Sequence, residues 1–364
     1  MTKNWQRTLW VVTATAGAVA SLAASGQAVT PGHAGSAAEP IDPPAISTPI
    51  IGTATPVTSG WARVAVVDVN RFPLDTHPRY QSKSRTFFVG PNKEGFLVYT
   101  IFPPTWDTEL PPAGTPPHYH TYHEWGYTLK GDFVLPEPVN PEQKNGMLSH
   151  KHEGGWLSRP AYSLHGGSWQ TGGIRAQFPY HLLIFEEGDG SLVTVGPHGD
   201  HIKPDFPGEK PDPYQPDWKA VKNFTRPWLV DSQNALEWEQ DPSMPGRFVK
   251  WLSDDMADGF RAQLVKIPPG WRPPAGTRRT YFAMANRLRF MISGDMTVWS
   301  YKDPRDAGQS FNAKENTFVY QPPRSLWGYG EGAVTKEGAV WLEVTYAKGL
   351  KVGGGPIEAP RVAE

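Results

Sequence analysis

The chain contains no cysteine among its 364 residues. Disulfide bonds are therefore excluded, and each folded unit must be held together by packing and hydrogen bonding. Thiolate ligands are excluded too, which argues against an iron–sulfur cluster, a copper(I) store or a cysteine-bound structural zinc. Any metal in this protein has to be held by nitrogen and oxygen donors.

The sequence also lacks an excess of either charge, because 35 Lys and Arg residues face 36 Asp and Glu residues. No basic stripe is present, so nucleic-acid binding is unsupported. Long amphipathic helical patterns are missing as well. Proline (38 residues), glycine (37 residues) and aromatic residues (12%) are abundant, a composition typical of many short strands joined by tight turns. We therefore expect an all-β fold.

The most extended apolar run lies near the N-terminus, from Leu9 to Ala24, after two basic residues and before several small ones. This pattern predicts a secretory signal peptide over residues 1–28, with a membrane anchor as the alternative. Residues 29–59 are rich in Pro, Ala, Gly, Ser and Thr and are predicted to form a flexible lead-in. We expect a secreted or periplasmic protein with no membrane attachment once the signal is removed.

Three histidines and a glutamate have the spacing of metal ligands. Side chains at even spacing share one face of a strand, so His118, His120 and Glu124 can point the same way while His123 points the other. A fourth ligand can come from a neighbouring strand, and His165, which follows several turn residues, is the natural candidate. Three imidazoles and one carboxylate predict a single divalent transition metal, which can be Fe, Mn, Ni, Cu or Zn.

The spacing H-x-H-x3-E-x6-G, followed by G-x5-P-x4-H, resembles the two signature motifs of the cupin superfamily. The first motif runs from His118 to Gly131 and the second from Gly154 to His165. Tyr162 departs from the pattern, because it stands where the family usually has glycine. The resemblance implies a double-stranded β-helix, or jelly-roll, barrel around the metal ligands.

Two segments of the chain recur at an offset of 162 residues. Pro111-Pro-Ala-Gly-Thr115 returns as Pro273-Pro-Ala-Gly-Thr277, and the segment from Pro160 to Gly166 is echoed from Pro322 to Gly328. The chain therefore looks like a bicupin with two tandem barrels.

The offset of the repeat also predicts which residues of the second copy stand at the ligand positions of the first. The predicted pairs are Thr280 for His118, Phe282 for His120, Asn286 or Arg287 for Glu124, and Trp327 for His165. Since all four ligands are replaced, we expect one metal per chain and a degenerate second barrel filled with bulky side chains.

Pattern and composition together predict the organisation of the chain beyond the lead-in. The predicted segments are a metal-binding barrel over residues 60–202, a proline-rich linker over 203–227, a degenerate barrel over 228–348 and a tail over 349–364.

A centre with one carboxylate and a divalent ion carries net positive charge, which favours a small anionic substrate. Open metal positions suit a dioxygenase that acts on a small enol, phenolic or diketone substrate together with dioxygen. The alternatives are a metal-dependent lyase or decarboxylase of a small organic acid, and a cupin that binds metal or ligand without turnover. The family resemblance also implies oxalate-acting enzymes, but a symmetric one is disfavoured because oxalate decarboxylases typically keep ligands in both barrels.

Two residues are predicted to take part in catalysis. Glu124 is a ligand to the reacting centre, and Tyr122 shares the parity of the ligands and can line the pocket as a hydrogen-bonding or acid/base group. The oligomeric state stays open.

Overall fold

The computed structural model describes residues 61–76, 83–89, 96–102, 118–137, 147–165, 175–176, 179–187, 193–194, 225, 227–255, 260–274, 280–330, 332–346 and 358–361. In these ranges nearly every element is a β-strand, and one 3₁₀ turn, Val69–Arg71, is the exception. The predicted all-β fold is confirmed. Within the same ranges, no helix has the length and apolar character needed to cross a membrane. The predicted signal peptide and lead-in lie outside the described residues.

The strands, in chain order, are β1 (Ala65–Asp68), β2 (Asp75–Thr76), β3 (Lys83–Val89), β4 (Phe96–Phe102), β5 (His118–Tyr119), β6 (Glu124–Lys130), β7 (Asp132–Glu137), β8 (Met147–His152), β9 (Gly155–Arg159), β10 (Arg175–Ala176), β11 (Tyr180–Glu186), β12 (Val193–Thr194), β13 (Trp228–Asp231), β14 (Glu239–Gln240), β15 (Phe248–Asp255), β16 (Phe260–Ile267), β17 (Thr280–Ala283), β18 (Asn286–Tyr301), β19 (Gln309–Lys314), β20 (Thr317–Gln321), β21 (Leu326–Gly328), β22 (Ala339–Tyr346) and β23 (Glu358–Arg361).

The first of two β units contains the described residues from 74 to 235. Its larger sheet is antiparallel with the order β13-β9-β6-β11-β4-β3-β2, and two smaller sheets have the orders β10-β7-β8 and β12-β5. The register puts Glu124 opposite Arg159 of β9 and also opposite Glu186 of β11. Directly opposite residues share one face of a sheet, so these three charged side chains project together, and each is at most 1% exposed.

The second unit contains the described residues 61–73 and those from 236 onward. Its sheet follows the order β14-β15-β16-β22-β18-β21-β17-β23, with β1, β19 and β20 attached beside this path. β18 is 16 residues long and pairs with four strands. Its alternate inward side chains pack with those of β16 and β22 in a core that includes Met291, Val265 and Trp341, each fully buried.

Two short segments lie in a different unit from the one that the sequence pattern predicts. Ala65–Asp68 pairs with β20, so it belongs to the second unit and not to the predicted barrel over 60–202. Trp228–Asp231 pairs with β9, so it belongs to the first unit and not to the predicted barrel over 228–348. Both differences arise from strand pairing between residues far apart in sequence, which local patterns do not reveal.

Both units repeat the same turn geometry at matching positions. Gly131 and Gly294 have φ angles of 89° and 77°, and Tyr162 and Arg324 have φ angles of 66° and 68°. A Cβ atom on Gly294 would lie 1.9 Å from a backbone carbonyl oxygen, so only glycine fits that turn. The structure thus supports the internal duplication with backbone detail that the repeated letters alone do not contain.

Candidate metal centre

The three predicted histidine ligands come from two segments that pair as an isolated antiparallel bridge. The His118 N–H donates to the His165 carbonyl at 2.6 Å, and the His165 N–H donates to the His118 carbonyl at 2.8 Å. His120 follows directly after β5, and its carbonyl accepts a hydrogen bond from the Tyr162 N–H at 2.8 Å. The backbone therefore fixes both segments before any side chain is considered.

The imidazole groups of His118, His120 and His165 converge. Their candidate ligand nitrogens all lie within 4.8 Å of one another, and the three residues are at most 3% exposed. Among the described residues, this is the one group of three or more potential metal-ligating side chains with such proximity. The structure brings together the histidines that the motif singled out.

Glu124 joins the same cluster with one carboxylate oxygen. Its Oε2 lies 3.4 Å from Nε2 of His165 and 3.7 Å from Nε2 of His120. Its Oε1 accepts a hydrogen bond from Nη1 of Arg159 at 2.6 Å, and both residues are 1% exposed. Because a carboxylate has about four lone-pair sites, the bond to Arg159 leaves Oε2 available for a cation.

The path of the chain between the ligands differs from the predicted single strand. β5 ends at Tyr119, the chain bends at Thr121 and Tyr122, and Glu124 begins the separate strand β6. Even spacing along one strand is therefore not the reason that His118, His120 and Glu124 meet. They meet because the bend brings the end of β5 back to the first residue of β6.

The donor atoms fit a divalent metal ion. Nδ1 of His165 lies 2.8 Å from the Ser163 carbonyl, which can only accept, so Nδ1 carries the proton and the lone pair is on Nε2. That Nε2 and Oε2 of Glu124 are buried and have no hydrogen-bond partner. Acceptor atoms buried without a donor are costly, and a cation between them would satisfy both.

The electrostatic surroundings keep His165 neutral, as a ligand must be. Burial lowers its pKa well below the ordinary histidine value, and the nearby Arg159, His118 and His120 add to that effect. A neutral imidazole keeps its lone pair for a metal over the whole neutral pH range.

Tyr122 lies beside the cluster, where the sequence predicts it. Its ring stacks on the His120 ring, with centroids 5.0 Å apart, and its hydroxyl donates to Oε2 of Glu186 at 2.7 Å. Glu186 is fully buried and lies opposite Glu124 in the sheet. A hydrogen-bonded phenol and carboxylate therefore lie directly beside His120, a predicted ligand.

Arg159 and Glu186 are site residues that the sequence reasoning missed. Arg159 ends β9 and directly precedes the proline of the second motif, and Glu186 ends the apolar run of β11. A charged residue at the end of a strand was thus the sequence signal that could have identified both. His123 stacks on Trp125 instead of joining the cluster, and His152 is exposed near Asp231.

The second unit places a residue other than the expected one at two of the four ligand positions, those of His118 and His120. The bridge between His118 and His165 corresponds to the pair Tyr281 and Trp327, and the pair Glu124 and Arg159 corresponds to Arg287 and Gln321. The predicted equivalents of His118 and His120, Thr280 and Phe282, each precede the true equivalent by one residue. For Glu124 the alternative Arg287 is correct and Asn286 is wrong, and Trp327 is the equivalent of His165 as predicted. Ala283 replaces His120, since its carbonyl accepts from the Arg324 N–H as that of His120 does from Tyr162. The loss of all four ligands is confirmed.

No protein-family model and no curated protein matches this chain. Several solved structures resemble it. Oxalate decarboxylase from Lactobacillus farciminis, solved as a formate complex, is 14% identical, with 79% of this chain and 86% of that chain covered and a TM-score of 0.48. A mutant of Bacillus subtilis oxalate decarboxylase is 15% identical, with 79% and 78% covered and a TM-score of 0.47. Protein Ylba from E. coli is 10% identical, with 81% and 95% covered and a TM-score of 0.47. At these values the resemblances do not define an activity for this chain.

The chain has the organisation of a bicupin. Two units built of antiparallel strand ladders repeat the same turns, and the first gathers the histidines of both cupin motifs at one buried cluster. The second unit keeps the framework and lacks the ligands.

Proposed function

We propose that the first barrel is the active site of an enzyme that uses one divalent transition metal to transfer protons on a small anionic organic substrate. His118, His120, His165 and Glu124 hold the metal in this proposal. The reaction class that fits best is that of a lyase or decarboxylase of a small organic acid. The single observation that carries the choice is the hydrogen bond from Tyr122 to Glu186 beside His120.

The bound metal would supply a positive charge that binds the substrate anion and stabilises negative charge on it. The protein supplies the remaining functions. Arg159 holds Glu124 in place through the 2.6 Å hydrogen bond, so that one carboxylate oxygen faces the cluster. The near-complete burial of the three histidines excludes bulk water from them.

Proton transfer is assigned to Tyr122 and Glu186. A phenol is both a donor and an acceptor, so Tyr122 can pass a proton between Glu186 and a molecule bound beside His120. In a decarboxylation, the carbon–carbon bond to the carboxylate breaks and carbon dioxide leaves. The electron pair stays on the substrate carbon, which then takes a proton from Tyr122, and Glu186 supplies the replacement proton after its own protonation from water.

A dioxygenase that acts on a small enol, phenolic or diketone substrate is the second candidate. The donor set of three imidazoles and one carboxylate supports it, because such a set leaves positions for a substrate and dioxygen. We also propose that the protein is secreted or periplasmic, which the apolar run near the N-terminus supports.

The test is to incubate the protein, after reconstitution with each candidate metal, with a panel of small dicarboxylates, 2-oxo acids, enols and diketones. Oxygen uptake and carbon dioxide release are recorded together. Carbon dioxide release without oxygen uptake supports the proposal, provided that Tyr122→Phe lowers the rate by about 100-fold or more, as loss of a general acid does. Substrate-dependent oxygen uptake at the same rate in Tyr122→Phe would establish the dioxygenase instead.

Glu186→Gln is the matched second variant, because it keeps the size of the side chain and its ability to accept from Tyr122. It should lower turnover as Tyr122→Phe does, while metal content stays at one equivalent in both. Loss of metal in either variant would show that the pair supports the ligands and has no separate role in proton transfer.

A further inference from the structure

The second barrel has a charged side chain, Arg287, at one of the four positions where the first barrel has its candidate metal ligands. Arg287 takes the place of Glu124 and Gln321 the place of Arg159, since both pairs lie opposite each other in equivalent strands. Trp327 takes the place of His165. A carboxylate is therefore replaced by a guanidinium group, and the preference of this end of the barrel changes from a cation to an anion.

Two guanidinium groups at this end approach one carboxylate. Nε of Arg289 donates to Oε2 of Glu343 at 2.7 Å, and Nε of Arg287 lies 3.8 Å from Oε1 of the same group. Gln263 and Trp341 also donate to Glu343, at 2.7 Å and 3.3 Å. Glu343 is 2% exposed and Arg289 is fully buried, so solvent screens these charges little.

A third arginine near Glu343, Arg247, belongs to a neighbouring ion pair. Arg247 contributes to the field at Glu343, but its Nε donates to Oδ2 of Asp241 at 2.6 Å. This second pair is neutral as a whole. Among the described groups named here, the two arginines of β18 outnumber the one carboxylate, Glu343, that they share.

Buried polar atoms around these charges have no protein partner. Both amide atoms of Gln321, which is fully buried, lack a hydrogen bond, and so do the indole nitrogen of Trp327 and the hydroxyl of Tyr329. The Trp327 ring lies 4.3 Å from the Arg289 guanidinium and 5.0 Å from the Tyr329 ring, which places these donors at the positive group. Buried donors of this kind are normally satisfied, and a bound molecule that accepts hydrogen bonds would satisfy them.

We propose that this end of the second barrel is a binding site for a small organic carboxylate, such as a monocarboxylic acid anion. Arg287 and Arg289 provide the charge, and Gln321, Trp327 and Tyr329 donate hydrogen bonds. Guanidinium groups bind carboxylates through two parallel hydrogen bonds, which Lys and neutral donors do not offer. The degenerate barrel thus has a ligand of its own, independent of the reaction in the first barrel.

The test uses the full-length, metal-loaded protein and acetate as the probe. Equilibrium dialysis with radiolabelled acetate counts the bound anions, and thermal unfolding in sodium acetate is compared with sodium chloride at the same ionic strength. The key variant is Gln321→Glu, which places a negative charge beside Arg287 and competes with the anion. We expect it to bind one equivalent of acetate fewer than the unchanged protein and to lose the acetate-dependent rise in Tm, with metal content unchanged in both.

Gln240→Glu is the matched control, because it makes the same charge change at an exposed position of the same unit, and it should bind acetate as the unchanged protein does. Gln321→Met removes the amide without adding charge and should weaken acetate binding about tenfold, which gives a second measure if Gln321→Glu does not fold. Equal acetate binding in the unchanged protein and all Gln321 variants would overturn the proposal. A rise in Tm with chloride equal to that with acetate would overturn the assignment to carboxylates.

Discussion

Nη1 of Arg159 donates to Oε1 of Glu124 at 2.6 Å, and the other oxygen of Glu124 faces Nε2 of His165 at 3.4 Å. The carboxylate is thus shared between a permanent cation of the protein and the cluster that fits a metal ion. Arg159 orients Glu124 and also balances its charge when no metal is bound. A bound metal should therefore stabilise the protein more when Arg159 is replaced than when it is present.

Replacing Arg159 with Gln should make the first unit more dependent on metal. The metal-free variant keeps Glu124 buried without its cation, which should cost about 3–5 kcal/mol of unfolding free energy. A bound divalent ion restores a counter-charge, so the difference in Tm between metal-loaded and metal-free protein should be larger than in the unchanged protein. Differential scanning calorimetry of both forms measures this difference.

The control for this variant is Arg85→Gln. Arg85 is also buried, and its Nη1 lies 3.6 Å from Asp75 in the same unit. It should lower stability in both forms equally and leave the difference in Tm unchanged. An unchanged difference in Arg159→Gln would show that Arg159 does not act on the metal through Glu124.

Removing a histidine ligand should remove the metal. His120→Ala deletes one of three converging imidazoles, and we expect affinity to fall by more than the roughly 10–100-fold caused by losing an outer-shell partner. Elemental analysis after dialysis against a weak chelator should give about one equivalent for the unchanged protein and almost none for the variant. His152→Ala, at an exposed position near Asp231, should keep one equivalent. Full metal content in His120→Ala would exclude this cluster as the metal site.

The ligands were predictable from the sequence, whereas the residues that support them were not. His118, His120 and Glu124 lie within seven residues, so their spacing is visible to a local motif. Arg159 and Glu186 reach the cluster because they lie opposite Glu124 in neighbouring strands. Their place depends on register between distant segments, which the sequence of either segment does not contain.

The second barrel shows how an alignment error of one residue changes a prediction of equivalent positions. The repeated letters are offset by 162, but Tyr281 and Arg287 correspond to His118 and Glu124 at an offset of 163. A shift of one residue moves a side chain to the other face of a strand. The repeat therefore predicted an interior with Thr280 and Phe282, and the actual register brings Arg287 inside.

Glu343 should make the second unit sensitive to acid. Burial alone would raise its pKa, but Arg287, Arg289 and Arg247 outweigh burial and hold the pKa well below its ordinary value. The unfolded chain then takes up a proton near pH 4.5 while the folded protein does not. The stabilisation is complete above that pH and decreases as the pH falls, by about 1.4 kcal/mol per pH unit for this one group. Urea unfolding between pH 7 and pH 3 measures the slope.

The variant Glu343→Gln tests the assignment of that slope. It should remove this contribution to the pH dependence and destabilise the unit by about 3–5 kcal/mol at pH 7, because two buried guanidinium groups lose their carboxylate. Asp254→Asn removes an exposed partner of Arg261 and should change stability by less than about 1 kcal/mol. The same slope in Glu343→Gln as in the unchanged protein would contradict the assignment.

Tyr162 occupies a left-handed backbone conformation, with φ of 66°, at the position where the cupin motif usually has glycine. This conformation costs a residue with a Cβ about 1–2 kcal/mol, and glycine is spared that cost. We therefore expect Tyr162→Gly to be more stable than Tyr162→Ala by about 1 kcal/mol, because both variants lose the ring and only the glycine variant loses the strain.

Arg324, with φ of 68°, should show the same order between its Gly and Ala variants in the second unit. Chemical denaturation measures both pairs, and Lys314→Gly, at an exposed strand position, should instead be less stable than Lys314→Ala. If alanine is as stable as glycine at both turn positions, the left-handed geometry is not a source of strain in this protein.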